Sequence, residues 1–155
     1  MIDAGADVNA KSADCGTPLH LAAWENSNEV TKVLIDAGAY VNAKEVHGWT
    51  PLHFTAQNDS KEVVTVLIDA GADLNAKSAD CGTPLYLAAW ENSKDVATML
   101  IDAGADVNAK EDKGSTPLRR VTKFDRLRLR AQGLIFDPGI FGHARTAMAA
   151  SYIFV

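Results

Sequence analysis

The chain has 155 residues, room for one ordinary domain or one short repeat array, and its 47% apolar and 23% charged residues can fill a core, which excludes wholesale disorder. Fifteen basic against twenty acidic residues give a formal charge of −5, which argues against a general affinity for nucleic acid. Two cysteines exclude a disulfide-stapled scaffold, no apolar run is long enough for a membrane span, and the acidic start Met1-Ile2-Asp3 is unlike a secretory signal.

Self-similarity organises the rest. The motif I-D-A-G-A-x-[VL]-N-A-K starts at Ile2, Ile35, Ile68 and Ile101, and T-P-L starts at Thr17, Thr50, Thr83 and Thr116, each series stepping by 33 residues. A fixed period of this size means a solenoid. It divides the chain into a partial repeat over 1–11, full repeats over 12–44, 45–77 and 78–110, and a degenerate unit with a cap or tail over 111–155. Residues 12–44 and 78–110 agree at 26 of 33 positions but 12–44 and 45–77 at only 18, which points to duplication of a two-repeat block.

In chain order, Thr17-Pro18 supplies a helix cap and a proline suited to the first helical position, so the first helix is expected from about Pro18 to about Glu25. Asn26 tolerates the left-handed conformation, the Ser27 hydroxyl can cap a second helix, and Glu29 suits that helix's N-terminal dipole. Val30, Val33, Leu34 and Ala37 then recur at helical spacing up to Gly38, a C-cap candidate. Asp59-Ser60 and Asn92-Ser93 repeat the inter-helix turn, and Gly71 and Gly104 repeat the stop. Such short helices are not stable alone, and Leu19, Ala22, Ala23, Val33 and Leu34 need a neighbouring pair to cover them. Each unit is therefore two helices followed by a loop reaching to the next pair.

The segments T-P-L-H at 17–20 and 50–53, T-P-L-Y at 83–86, L-A-A at 21–23 and 87–89, and A-G-A-D-[VL]-N-A at 70–76 and 103–109 closely resemble ankyrin repeats, over residues 1 to about 118. The resemblance implies an all-α repeat solenoid, a curved stack of helix-turn-helix units with β-hairpin fingers, that binds a protein partner and carries out no chemistry. Two departures stand out. The family's finger glycine is present at Gly48 and Gly114, but the first and third units have Cys15-Gly16 and Cys81-Gly82, where the turn is expected to shift by one residue because glycine takes positive φ freely. His20 and His53 match the helix-start histidine while Tyr86 and Arg119 do not, so its hydrogen bonding is expected to change there.

Variation among the three full units concentrates in the fingers, where Ala13, Asp14 and Gly16 stand against Val46, His47 and Trp49, and at the end of the first helix, where Trp24 and Glu25 stand against Gln57 and Asn58. The resemblance implies that partners are contacted at these positions. Trp24, Trp49 and Trp90 all fall on them, and interface hot spots are enriched in tryptophan. Layer spacing puts Trp24 and Trp90 roughly 20 Å apart with Trp49 between them, a stripe along the concave face. Asp14, Glu25, Asp80 and Glu91 make its rim acidic and favour a basic partner. The alternative for Trp24 and Trp90 is peripheral packing over neighbouring aliphatic stems.

No cofactor is expected. His20, His47, His53 and His143 form no zinc spacing, Cys15 and Cys81 two units apart are expected as free thiols, and no phosphate-binding loop or nucleophile motif occurs. Asn42, Asn75 and Asn108 sit eight residues after Leu34, Leu67 and Leu100, a context resembling that in which an asparaginyl hydroxylase modifies ankyrin domains; the alternative is a conformational role bonding the loop backbone. After Leu118 the charge reverses, from 8 basic and 18 acidic residues over 1–118 to 7 basic and 2 acidic over 119–155. A helix from Pro117 to about Gln132 as an irregular cap, a tail created by frameshift or recombination, and a basic segment for an anionic membrane or nucleic acid all stand as readings of that segment.

The expectation is thus a monomeric, cytoplasmic protein-interaction module with no nucleic acid and no membrane span. A targeting fragment of a larger protein, secretion as an effector, and a truncated product without a partner stay open beside it.

Overall fold

The computed structural model describes residues 5–80 and 82–110. The expectations for Cys81, for the unit from Glu111, for Arg119 and for the segment 119–155 lie outside the described residues. Six helices form three pairs: α1 (Pro18–Trp24) with α2 (Asn28–Asp36), α3 (Pro51–Asn58) with α4 (Lys61–Asp69), and α5 (Pro84–Trp90) with α6 (Lys94–Asp102). The first helices pack α1 on α3 on α5, and the second helices α2 on α4 on α6, giving two layers of a helical repeat solenoid.

The punctuation of the sequence sets these boundaries. Thr17, Thr50 and Thr83 are extended N-caps with proline following. Asn26, Asp59 and Asn92 take the left-handed conformation between the helices of each pair, at φ 53°, 53° and 60°. Gly38 closes α2 at φ 90°, with the Ala39 amide donating back to the Leu34 carbonyl at 2.9 Å, and Gly71 and Gly104 repeat this ending. Ser27, Ser60 and Ser93 hold the N-cap position of the second helices, but none makes the expected side-chain cap bond. Their ψ values of 77–86° take them off ordinary cap geometry.

The core repeats as the helices do. Leu19, Leu52 and Leu85 are fully buried at one position, and small residues at Ala22, Ala23, Ala56, Ala88 and Ala89 let the first helices approach. Thr55, buried where the other units have alanine, satisfies its hydroxyl by donating to the Leu52 carbonyl at 2.9 Å. Val33 departs from its expected burial and is 50% exposed, as is Val30, whereas Val63 and Val96 at the Val30 position are fully buried. The valine side chain is the same; α4 packs on α2 and α6 on α4, whereas among the described residues no helix pair comes before α2.

The loops between pairs are fingers closed by turns. Glu45 N–H donates to the Trp49 carbonyl and Gly48 N–H to the Glu45 carbonyl, and the first finger repeats this with Ser12, Gly16 and Cys15. The turn there is not shifted by a residue as expected: Cys15 itself takes positive φ, at 60°, in register with Gly48 at 76°. The same two backbone bonds hold both turns, and each adds a side-chain acceptor at its first position: Ser12 Oγ accepts from Gly16 N–H at 3.1 Å, and Glu45 Oε1 from Trp49 N–H at 2.9 Å. The β-hairpin form expected of the fingers is not seen, since no strand occurs among the described residues. Adjacent fingers share single bonds, Val46 N–H to the Asp14 carbonyl and Ala79 N–H to the His47 carbonyl, too few for a ladder.

Candidate functional site

The face made by α1, α3, α5 and the fingers is where the sequence places a partner. Two side-chain ladders fix its geometry. In the first, His20 and His53 sit one turn into their helices. The Nδ1 atom of His53 accepts from Thr50 N–H at 3.1 Å while its Nε2 faces the Gly82 carbonyl of the next finger at 3.2 Å. An amide can only donate and a carbonyl only accept, so the ring carries its proton on Nε2. His20 does the same between Thr17 N–H and the Trp49 carbonyl, at 3.0 Å each. Burial lowers both histidine pKa values against the opposing pull of the carbonyls they bond, and carries that of His53 down to about 4. Tyr86 takes the third place; Thr83 Oγ1 accepts from its N–H at 3.2 Å, and the side chain that would reach back to Thr83 N–H is gone.

The second ladder is asparagine. Asn42 donates its amide to the Gly71 carbonyl at 3.2 Å and accepts from Asp73 N–H at 2.7 Å, tying its loop to the next helix ending. Asn9 makes the equivalent pair with Gly38 and Tyr40, and Asn75 accepts from Asp106 N–H at 2.7 Å. Asn108 receives no such tie among the described residues; its own N–H donates to Asp106 Oδ1 at 2.9 Å. All three expected modification positions are exposed, and Asn42 and Asn75 bond the neighbouring unit's backbone.

On this frame the expected contact residues fall into two groups. Trp24 and Trp90 end α1 and α5 and are 47% and 52% exposed despite their size. Glu25, Val46, His47, Asn58, Asp80 and Glu91 are exposed as well. Trp49 departs from the outward position expected of it. It is half-buried, stacked on the His53 ring at 6.0 Å and tilted against Phe54 at 5.1 Å. Its own helix supplies those aromatic surfaces, so the indole folds back onto them. Gln57 is also half-buried, and Asn58 donates to the Trp24 carbonyl at 2.8 Å, bracing the end of α1.

Phe54 is the residue that the reading of the sequence missed. Trp24, Trp49 and His20 all converge on it, with ring centroids 5.8, 5.1 and 5.8 Å away. A signal was present: 21, 54 and 87 are one repeat position, and only the middle unit puts an aromatic ring there. Trp90 has its own neighbour in Tyr86, at 6.2 Å. The tryptophans are therefore not three alike. Trp24 and Trp49 share a cluster spanning the first two pairs, and Trp90 stands with Tyr86 on the third.

An open cavity of about 720 Å³ lies beside that cluster, lined among others by Gly16, His20, Leu21, Trp24 and Phe54. The described residues contain no grouping of three His, Cys, Asp or Glu side chains able to hold a metal ion, and none of their helices is long and apolar enough to cross a membrane. No curated protein matches the chain. A family model described as ankyrin repeats in three copies matches residues 1–78 and again 19–111. Ankyrin repeats are generally protein-interaction modules and typically non-catalytic. Thr-Pro caps, histidine and asparagine ladders, glycine helix endings and the family match agree, and the chain belongs to the ankyrin-repeat family.

Proposed function

We propose that the chain is a monomeric docking module that holds a basic protein partner against the concave face built by its first helices and fingers, with repeats over 12–44, 45–77 and 78–110. The observation that carries this reading is the exposure of Trp24 and Trp90 at one repeat position, each followed by an exposed glutamate, Glu25 and Glu91. Large indoles left half open at the end of a helix supply contact area at little cost in side-chain freedom, and interface hot spots are enriched in them. Val46, His47 and Gln57 belong to the same surface, and Asp14 and Asp80 extend its acidic rim at the fingers. Complementary charge acts chiefly on association rate and choice of partner, with the indoles as anchors.

Capture of partners from a display library by the intact chain and by a Trp24→Ala/Trp90→Ala variant tests the reading. Loss of roughly tenfold or more in affinity, with the circular dichroism spectrum unchanged, is expected. Equal capture by both proteins contradicts it. A Glu25→Lys/Glu91→Lys variant separates the charge component, which shows as slower association at low salt.

A further inference from the structure

The first and second helix pairs differ at one finger position, which holds glycine in the first and tryptophan in the second. Trp49 is stacked on His53 and tilted against Phe54. The repeat period carries these three residues onto Gly16, His20 and Leu21, and all three of those line the 720 Å³ cavity. The histidine is retained with the same two hydrogen bonds, and Leu21 is 63% exposed where Phe54 is half-buried. Trp24 and Phe54 close another side of the cavity with aromatic surface. Asp14 and Glu45 against Lys11 leave the lining one net negative charge.

We propose that this cavity is a receptor for an aromatic side chain, tryptophan in size, carried on a basic segment of the partner protein. The guest ring lies on His20 and Leu21 as the chain's own Trp49 lies on His53 and Phe54, with Trp24 alongside. The proposal rests on the interaction reading above and gives it a chemistry: the first finger, with glycine where the second has its indole, receives one from the partner. A basic flank matches the carboxylates at the rim, and a ring buried against other rings gains beyond its area alone.

The test is an amide NMR titration of the full chain with acetyl-Lys-Lys-Trp-Lys-Lys-amide, with the alanine analogue of that peptide, and with acetyl-Glu-Glu-Trp-Glu-Glu-amide. The account expects shifts centred on Gly16, Leu21 and Trp24 with Kd of order 1 mM or tighter, and at least about tenfold weaker binding of the other two peptides. A Gly16→Trp variant supplies the missing indole from within and loses the response. Its new Cβ meets only the Ser12 hydroxyl, at 3.3 Å. Should that variant fail to fold, Leu21→Lys, at an exposed position, loses the response by placing a cation in the site. Equal binding of the alanine peptide, shifts centred elsewhere, no response to the tryptophan peptide, or a response that survives in the folded variants overturns the proposal. So does a protein-concentration dependence that assigns the site to a second copy. The interaction reading is judged separately, since Trp90 does not line the cavity: if a Trp90→Ala variant loses partner capture while the peptide arms fail, only the receptor proposal falls.

Discussion

The first and second units agree at only 18 of 33 repeat positions, and the residues they do share live in different surroundings. Val30 and Val63 occupy the same repeat position; one is half exposed and the other is sealed. The fingers differ in the opposite sense: the second folds its own tryptophan back onto His53, and the first offers Gly16 and an open cavity. The second pair is thus complete, covered on both sides and with its aromatic place filled. The first pair has spare apolar and aromatic surface. In a solenoid a residue's energetic worth belongs to its neighbours as much as to its own unit.

The sharpest way to break that comparison is to cut into the covered pair. Leu52→Ala removes a fully buried side chain from α3, between two other first helices, and is expected to cost about 2–5 kcal/mol in chemical denaturation. A cost under about 1 kcal/mol means that the layers are not packed on each other as described.

Acid probes the same pair. His53 is neutral when folded, its Nδ1 already accepting an amide hydrogen, and its pKa is lowered to about 4 from an ordinary 6.5. As pH falls below 6.5 the unfolded chain takes up a proton that the folded chain refuses. The stabilisation is therefore fully present above 6.5 and is lost on the way down to about 4, a change of up to roughly 3 kcal/mol. NMR titration of the ring protons should place His53 near 4 and His20 below its ordinary value. A His53 that titrates at 6.5 contradicts the buried tautomer.

Smaller effects come from the ties between units. Asn42→Ala frees the Gly71 carbonyl and the Asp73 amide at an exposed junction, and a loss of about 1 kcal/mol is expected, read as a lower thermal midpoint. At the finger, Cys15→Gly relieves a non-glycine residue from positive φ and is expected to stabilise by a few tenths of a kcal/mol, less than the strain removed because glycine also frees the unfolded chain. A destabilised Cys15→Gly protein means that the turn depends on the cysteine side chain.

Much of this molecule was legible in its sequence, and the failures share a cause. The 33-residue period, the Thr-Pro caps, the left-handed Asn26, Asp59 and Asn92, and the glycine endings are local signals that the structure repeats. What escaped depends on what lies opposite a residue. Val33 looks like core by its helical spacing, yet it is half exposed. Trp49 looks outward until Phe54 and His53 are seen beneath it, and Phe54 is noticed only once the rings of two units are placed together. Ser27 and Ser60 look like caps, yet their backbone angles withhold the hydroxyl. Cys15 looks like a reason to move a turn, yet two backbone bonds keep the register and leave the strain on the cysteine.

The claim that neighbours set the value of each repeat position is tested most directly by truncating one valine at a time, Val30→Ala and Val63→Ala, and measuring equilibrium unfolding of both proteins under one set of conditions. The account predicts a loss of about 2 kcal/mol for Val63→Ala and within about 0.5 kcal/mol of no change for Val30→Ala. Equal losses at the two positions would contradict it.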